Sequence, residues 1–409
     1  VDPKHLLIIG LIWPEPTSSA AGWRMLQLIR LFQDLEYRVT FCSTAQRSDR
    51  SFDLTSIGVE VASVELNKPS FDQFINDLDP DVVMFDRFIT EEQFGWRVAE
   101  QVPQAIRILD AEDFHGLRKA RELAFKEGVP LEKAHLHNEV TKRELVAMYR
   151  VDLTLVISEA ELQLFSKEFH FPSTALLYLP FVIEKGAIEN IVNPGYNERS
   201  HFVTVGNYLH RPNADALHFL KKEIWPLIRR DLPKAELHVY GAYQSKAKQL
   251  HNEKEGFLVK GAVPDIYKIL PGYRVCLAPL RFGAGLKGKI FDAMYTGTPS
   301  VMSTIAAEGL FGTMEPAGFI EDNAVSFANK SRKLYTDPYL WQGFRENAQN
   351  VLKVRFKRAE YLTDLQEVLQ MLHKDLPKHR QQHFTGQLFL QQSLLSSRYL
   401  SKWIEAKNK

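Results

Sequence analysis

Cysteine is scarce in this chain: Cys42 and Cys276 are the only two in 409 residues. Each stands inside an apolar run, in opposite halves of the chain, so no disulfide framework can form. Both read as buried hydrophobes of a protein kept in a reducing compartment. Uninterrupted apolar runs of ~20 residues are also lacking, which excludes a membrane-spanning helix. The early run from Leu6 to Trp13 has no cleavage site and ends in Pro14-Glu15-Pro16, unlike a signal peptide. Val1 in place of methionine reads as a trimmed start. The expected location is cytoplasmic, with peripheral contact at the inner membrane face left open. Neither sign of charge dominates, with 51 Lys and Arg against 50 Asp and Glu, so no nucleic-acid partner is expected. Oligomeric state is not legible.

Several catalytic signatures are missing too. The sequence holds no Ser-His-Asp arrangement, no Gly-x4-Gly-Lys-Ser/Thr loop and no zinc spacing, so no metal site is expected. His135 and His137 fall on different faces of a helix, which argues against a metal pair. His379 and His383 share a face without a third ligand, and Lys378 to His383 reads as a solvated stretch. No repeat with a period of 20–50 residues is visible.

What is present is a soluble-protein balance of 45% apolar and 25% charged residues, in a chain long enough for two domains. Short apolar runs alternate with helical patterns throughout. Strands are expected at Leu6–Ile12, Tyr37–Cys42, Val59–Val64, Val82–Phe85, Ala105–Leu109, Leu153–Ile157 and Ala175–Leu179. One or two helices fill 117–150, broken near Gly128-Val129-Pro130. A polar, turn-rich stretch from Glu184 to Arg199, with Asn193-Pro194-Gly195, reads as a linker. A second alternation then begins at Phe202–Gly206, with later strands at Glu236–Tyr240, Phe257–Val259, Val275–Leu280 and Ser300–Ser303. Helices follow from Asp322, and the tail from Asp375 reads as an amphipathic helix carrying Leu388, Leu394, Leu395, Tyr399 and Trp403. Such alternation makes parallel sheets covered on both faces, an α/β fold. The expected division is 1–185, 198–372 and a helical tail at 373–409.

The most informative stretch is Val275 to Gly309. Its strand ends in a glycine-rich turn, Arg281-Phe282-Gly283-Ala284-Gly285-Leu286-Lys287-Gly288-Lys289, which opens a helix carrying Ile290, Phe291, Met294 and Tyr295. Glycines let the backbone approach a phosphate, and free amides at a helix start face the anion. Arg281, Lys287 and Lys289 add positive charge. Gly283, Gly285 and Gly288 also fit the dinucleotide fingerprint, with Glu308 about 20 residues on. That reading is disfavoured by the excess of cations and by the late position of the unit in its domain.

These segments together resemble the GT-B glycosyltransferases, in particular the retaining nucleotide-sugar enzymes of family 4. The resemblance is carried by Val205–Leu217, Ala278–Met294, Gly297-Thr298-Pro299 and Glu308-Gly309-Leu310, with weaker signatures at Leu109–Arg118 and Leu155–Glu159. It implies two Rossmann-like doubly wound domains facing across a cleft, with a helical C-terminal tail. It further implies transfer of a sugar from a nucleotide diphosphate, UDP or GDP, to a hydroxyl of a glycan, lipid-linked or protein acceptor, with no required cofactor or metal. By that resemblance Arg211 and Lys287 clamp the diphosphate, while Gly283 and Gly285 admit its oxygens to backbone amides. Asp292 holds the ribose hydroxyls, as the second acid of a Glu-x7-Glu pattern. Gly22 lies near donor and acceptor, and Gly206, Asn207, Arg281, Ala284, Leu286 and Glu308 complete the donor side. Asp110, Asp113 and His115 line the acceptor edge.

Two departures stand out. Ala284 occupies the position of the first acid, and Gly206-Asn207-Tyr208 replaces the usual Gly-Arg-Leu. Two alternatives therefore stay open, a nucleotide-sugar epimerase and a non-catalytic binding subunit of the same architecture.

Overall fold

A computed structural model describes residues 3–184, 194–243 and 247–407, the side chains at 392–394 excepted. Most of the expected linker, Asn193 included, lies outside the described residues, as does the side chain of Leu394.

Seven parallel strands form the first sheet: β1 (His5–Gly10), β2 (Arg38–Ser43), β3 (Glu60–Ser63), β4 (Val82–Asp86), β5 (Ile106–Asp110), β6 (Leu153–Val156) and β7 (Leu176–Tyr178). Their spatial order is β3-β2-β1-β4-β5-β6-β7. The second sheet has six parallel strands: β8 (Ser200–Val205), β9 (Leu237–Tyr240), β10 (Phe257–Gly261), β11 (Tyr273–Ala278), β12 (Ser300–Met302) and β13 (Gly318–Ile320). Its order, β10-β9-β8-β11-β12-β13, repeats the same winding. Leu6, Leu7, Ile8 and Ile9 are all fully buried, as expected for a strand with helices on both faces. In each sheet the winding reverses between two neighbouring strands, β1 and β4 or β8 and β11. Open α/β sheets bind ligands in the crevice outside the strand carboxyl ends at such a reversal.

Local chemistry accounts for the helix starts. Ser19 caps the Ala20–Asp34 helix by accepting from the Gly22 amide, and Asn138 caps the Glu139–Arg150 helix. The helix that opens at Arg211 is interrupted by a π turn at Leu220–Ile224 before it resumes at Trp225. Pro226, two residues beyond the turn, cannot donate a backbone hydrogen bond, so the ladder must re-register. Strand β13 was not anticipated, because three residues, Gly-Phe-Ile, carry no periodicity.

The end of the chain returns to the first sheet. Helix Arg358–Lys374 places Leu365, Leu369 and Leu372 in the same buried cluster as Leu6, Ile8 and Leu28. Although its sequence neighbours belong to the second sheet, this helix packs on the first. The tail is two helices, Leu376–Gln382 and Phe384–Lys407, rather than one. The 378–383 stretch, expected to be solvated, is a docking point. Arg380 donates to both Asp152 oxygens (2.8 Å each) and to the Ala105 carbonyl (2.9 Å), and His379 bonds the Asp152 carbonyl (2.8 Å). Both cysteines are buried and free. Among the described residues no helix is long and apolar enough to cross a membrane.

Candidate functional site

A cavity of about 520 Å³ lies between the two sheets, at the carboxyl ends of both sets of strands. Its walls come from the segments after β1 (Pro16 to Trp23), β4 (Arg87), β5 (Glu112 to Arg118), β8 (Val205 to Asn213), β9, β10 and β11. Both winding reversals therefore open onto one space.

The glycine turn after β11 forms its second-lobe wall. Helix Gly288–Tyr295 starts there with Lys287 at the cap, and its opening amides have no intrahelical partner. Lys287 is buried, and its Nζ donates to the Gly285 carbonyl (2.6 Å) and stands 3.9 Å from Glu308. Burial pushes this lysine below its usual range. Lys289 donates to Asn213 Oδ1 (2.8 Å), and burial brings it down to about 8. Asp292 accepts from the Tyr267 hydroxyl (2.8 Å), and burial pushes its carboxyl up to about 7. Both lysines and Asp292 line the cavity, with Gly206, Asn207, Gly283, Ala284 and Leu286.

The facing wall carries Arg87, Glu112, Asp113, His115 and Arg118. Glu112 has a left-handed backbone (φ 57°), and burial, with the Asp110 and Asp86 charges nearby, lifts its carboxyl to about 8. Burial opposes ionisation of Asp113 as well, but the Arg118 guanidinium outweighs it and holds Asp113 well below the carboxylate range. His115 bonds the Asp113 carbonyl (2.8 Å). Burial disfavours its charged form, yet the Asp113 and Glu144 carboxylates prevail and raise it.

Other expected residues lie elsewhere. Asp110 is fully buried in an ion pair with Arg24 (2.8 Å), whose guanidinium also donates to the Leu179 carbonyl (2.6 Å). It therefore holds the first lobe together and does not reach the cavity. Arg211 turns away to pair with Glu122 of the opposite lobe. Arg281 pairs with Asp215 (2.6 Å) and lies over the Phe125 and Phe219 rings. Glu308 takes Arg121 (2.7 Å), which also donates to the Gly283 carbonyl. Gly22 packs on the Glu15 backbone, where an added Cβ would come within 2.5 Å.

Gly285 serves lobe contact more than anion contact. Its amide donates to Glu161 Oε1 (2.7 Å), which also accepts from the Phe114 amide (3.0 Å). A Cβ on Gly285 would lie 2.6 Å from that of Asp113, and one on Gly288 would lie 2.7 Å from that of Ala20. Trp23 adds an aromatic bridge, 5.8 Å from Phe291 and 6.3 Å from Tyr267.

Arg87, Glu112, His210, Tyr267 and Trp23 were not anticipated as site residues. Arg87 directly follows β4 and Glu112 stands two residues after β5, so position at a strand end was the available signal. His210 gave none beyond its place beside Arg211.

Residues 199–337 match the family model described as glycosyl transferases group 1. No curated protein matches the chain in sequence. Sucrose-phosphate synthase from Thermosynechococcus elongatus is similar in structure, with TM-score 0.67 at 12% identity over 90% of this chain and 99% of that one. Anabaena Alr3699/HepE, solved in complex with UDP, gives 0.65 at 13% over 90% and 100%. TarM gives 0.67 at 10% over 90% and 99%. The fold is thus that of the GT-B glycosyltransferases, with a group 1 glycosyltransferase domain in its second half.

Proposed function

We propose that the protein is a retaining glycosyltransferase, similar to family 4, which moves a sugar from a nucleotide diphosphate to an acceptor hydroxyl. The observation that carries this is the convergence of Lys287, Lys289 and the opening amides of helix Gly288–Tyr295 on a cleft between two sheet reversals. In this reading that cradle takes the diphosphate. Leaving-group charge builds there as the glycosidic bond breaks, and preorganised donors stabilise it. Asp292 accepts from the ribose hydroxyls, and the wall lined by Tyr240, Val263 and Tyr267 takes the base. Glu112, Asp113 and His115 face the incoming hydroxyl, with same-face attack assisted by the departing phosphate.

Arg211 takes the role of a lobe bridge in this proposal, and Asp110 that of a structural ion pair. In this proposal the described residues of 3–184 and 358–407 form one lobe and those of 198–357 the other. The HepE structures, one of them in complex with UDP-glucose, support a UDP-sugar donor over other nucleotides. The acceptor is a glycan, a lipid-linked sugar or a protein, met in the cytoplasm or at its membrane face. The reading is tested by turnover with a panel of UDP-, GDP-, ADP- and TDP-sugars. Acceptor-dependent release of one nucleotide is expected; release of none, with no nucleotide bound, would overturn it. Acceptor-independent isomerisation of the sugar would point to an epimerase.

A further inference from the structure

Beside the main cleft a second hollow of about 330 Å³ opens between the lobes. The two share His115, Arg118 and His210 in their walls, so a ligand in one can extend into the other. One side is a single face of helix His115–Glu127, where His115, Arg118, Lys119 and Glu122 recur at i, i+3, i+4 and i+7. Across from it stand His210 and Arg211, at the start of the nine-residue helix Arg211–Phe219, whose positive end faces the same hollow. Val140 and Phe282 supply apolar wall.

The charge balance of this hollow is one-sided. Arg118, Lys119 and Arg211 are permanent cations, with two imidazoles beside them, and Glu122 is the only carboxylate in the lining. Glu122 is already engaged by Arg211 and Lys126, and Asp113 by Arg118. Lys119 has no ion-pair or hydrogen-bond partner among the described residues. Cations on two facing walls suit a tetrahedral dianion better than a flat carboxylate.

We infer that this hollow binds a phosphate monoester carried by the acceptor, whose glycosylated hydroxyl lies in the adjoining cleft. The inference rests on the glycosyltransferase reading for its acceptor role, although the pocket itself does not depend on it. Both lobes supply its cations, so the pocket is complete only when they meet, and donor binding and acceptor binding support each other.

The test is calorimetric titration of glucose 6-phosphate and glucose into the full chain saturated with UDP, for wild type, Lys119→Glu and Lys119→Arg. The phosphorylated sugar is expected to bind at least about tenfold tighter than glucose, as charge-assisted contacts imply. Lys119→Glu should lose about that factor, Lys119→Arg should keep it, and UDP affinity should hold in both. Equal binding of the two sugars to wild type, or a Lys119→Glu protein that binds the ester normally, would overturn the inference. Sedimentation with phosphatidic acid or phosphatidylcholine vesicles forms a second arm. Selective, Lys119-dependent binding to phosphatidic acid supports the pocket and assigns the phosphate to a lipid head. Ester binding that persists in a protein unable to bind UDP would sink the donor reading and leave the pocket standing. UDP binding with neither ester nor vesicle bound would do the reverse.

Discussion

Lys287 is buried, already tied to Gly285 and 3.9 Å from Glu308, and it still lines the cleft. A cation held so firmly needs no reorganisation when negative charge develops beside it, which is the condition for strong electrostatic catalysis. Lys287→Ala is expected to lower kcat about 100-fold or more, read in a steady-state assay with the preferred donor. Asp110→Asn should act differently, by leaving Arg24 buried beside a neutral partner. A loss of about 3–5 kcal/mol in urea unfolding is expected, since one half of a buried pair is disabled. Asp292 offers a pH test. Burial holds its proton up to about 7, whereas the unfolded chain releases it near pH 4. Between those values the unfolded state binds fewer protons, so this group makes stability fall as pH rises and has no further effect above about 7. Asp292→Asn should flatten that part of the unfolding free-energy profile. The places of Lys287 and Asp292 in the cleft wall were legible because glycines and helical spacing mark their surroundings. Arg211 and Asp110 were not, because the deciding partners, Glu122 and Arg24, are 89 and 86 residues away.

Among elements, helix Arg358–Lys374 bears most on how the lobes are built. Its leucines repeat at i, i+4 and i+7, which announces a helix with one apolar stripe. Nothing in that spacing says which sheet the stripe meets, and proximity in sequence favoured the wrong one. The contact that decides it is tertiary, with Leu365 and Leu369 in the first-lobe core cluster that also holds Leu6 and Ile8 of β1. Leu369→Ala should cost about 2–5 kcal/mol, measured by chemical denaturation, and should destabilise the first lobe rather than the second. Hydrogen exchange would separate the two, with faster exchange expected in β1 and β2 and unchanged protection in β8 and β11. Alternation of strand and helix was readable at nearly every step, because each buried strand is an apolar run bounded by breakers. β13 escaped for want of length.

At the scale of the whole molecule, the lobes touch through small residues and long side chains around the cleft. Gly285 faces Asp113, Gly288 faces Ala20, and the Arg121–Glu308 pair spans the same gap. Gly285→Val would set a branched side chain against Asp113 in a left-handed backbone (φ 66°). The lobes are then expected to stand further apart, with turnover down on the order of 100-fold from misplacement alone. Small-angle scattering should report the larger radius, and calorimetry a nucleotide affinity close to that of wild type.

The chain crosses between the halves beside itself. The Ile183 amide donates to the Phe356 carbonyl (2.7 Å), and the Arg358 amide donates back to the Ile183 carbonyl (3.1 Å). Two lengths of polypeptide stitched in this way tie the halves together at one edge, and parting them there would break both hydrogen bonds. A substrate drawn into the cleft is therefore expected to enter on the side away from residues 183 and 357, where no backbone pairing of this kind joins the described residues of the halves.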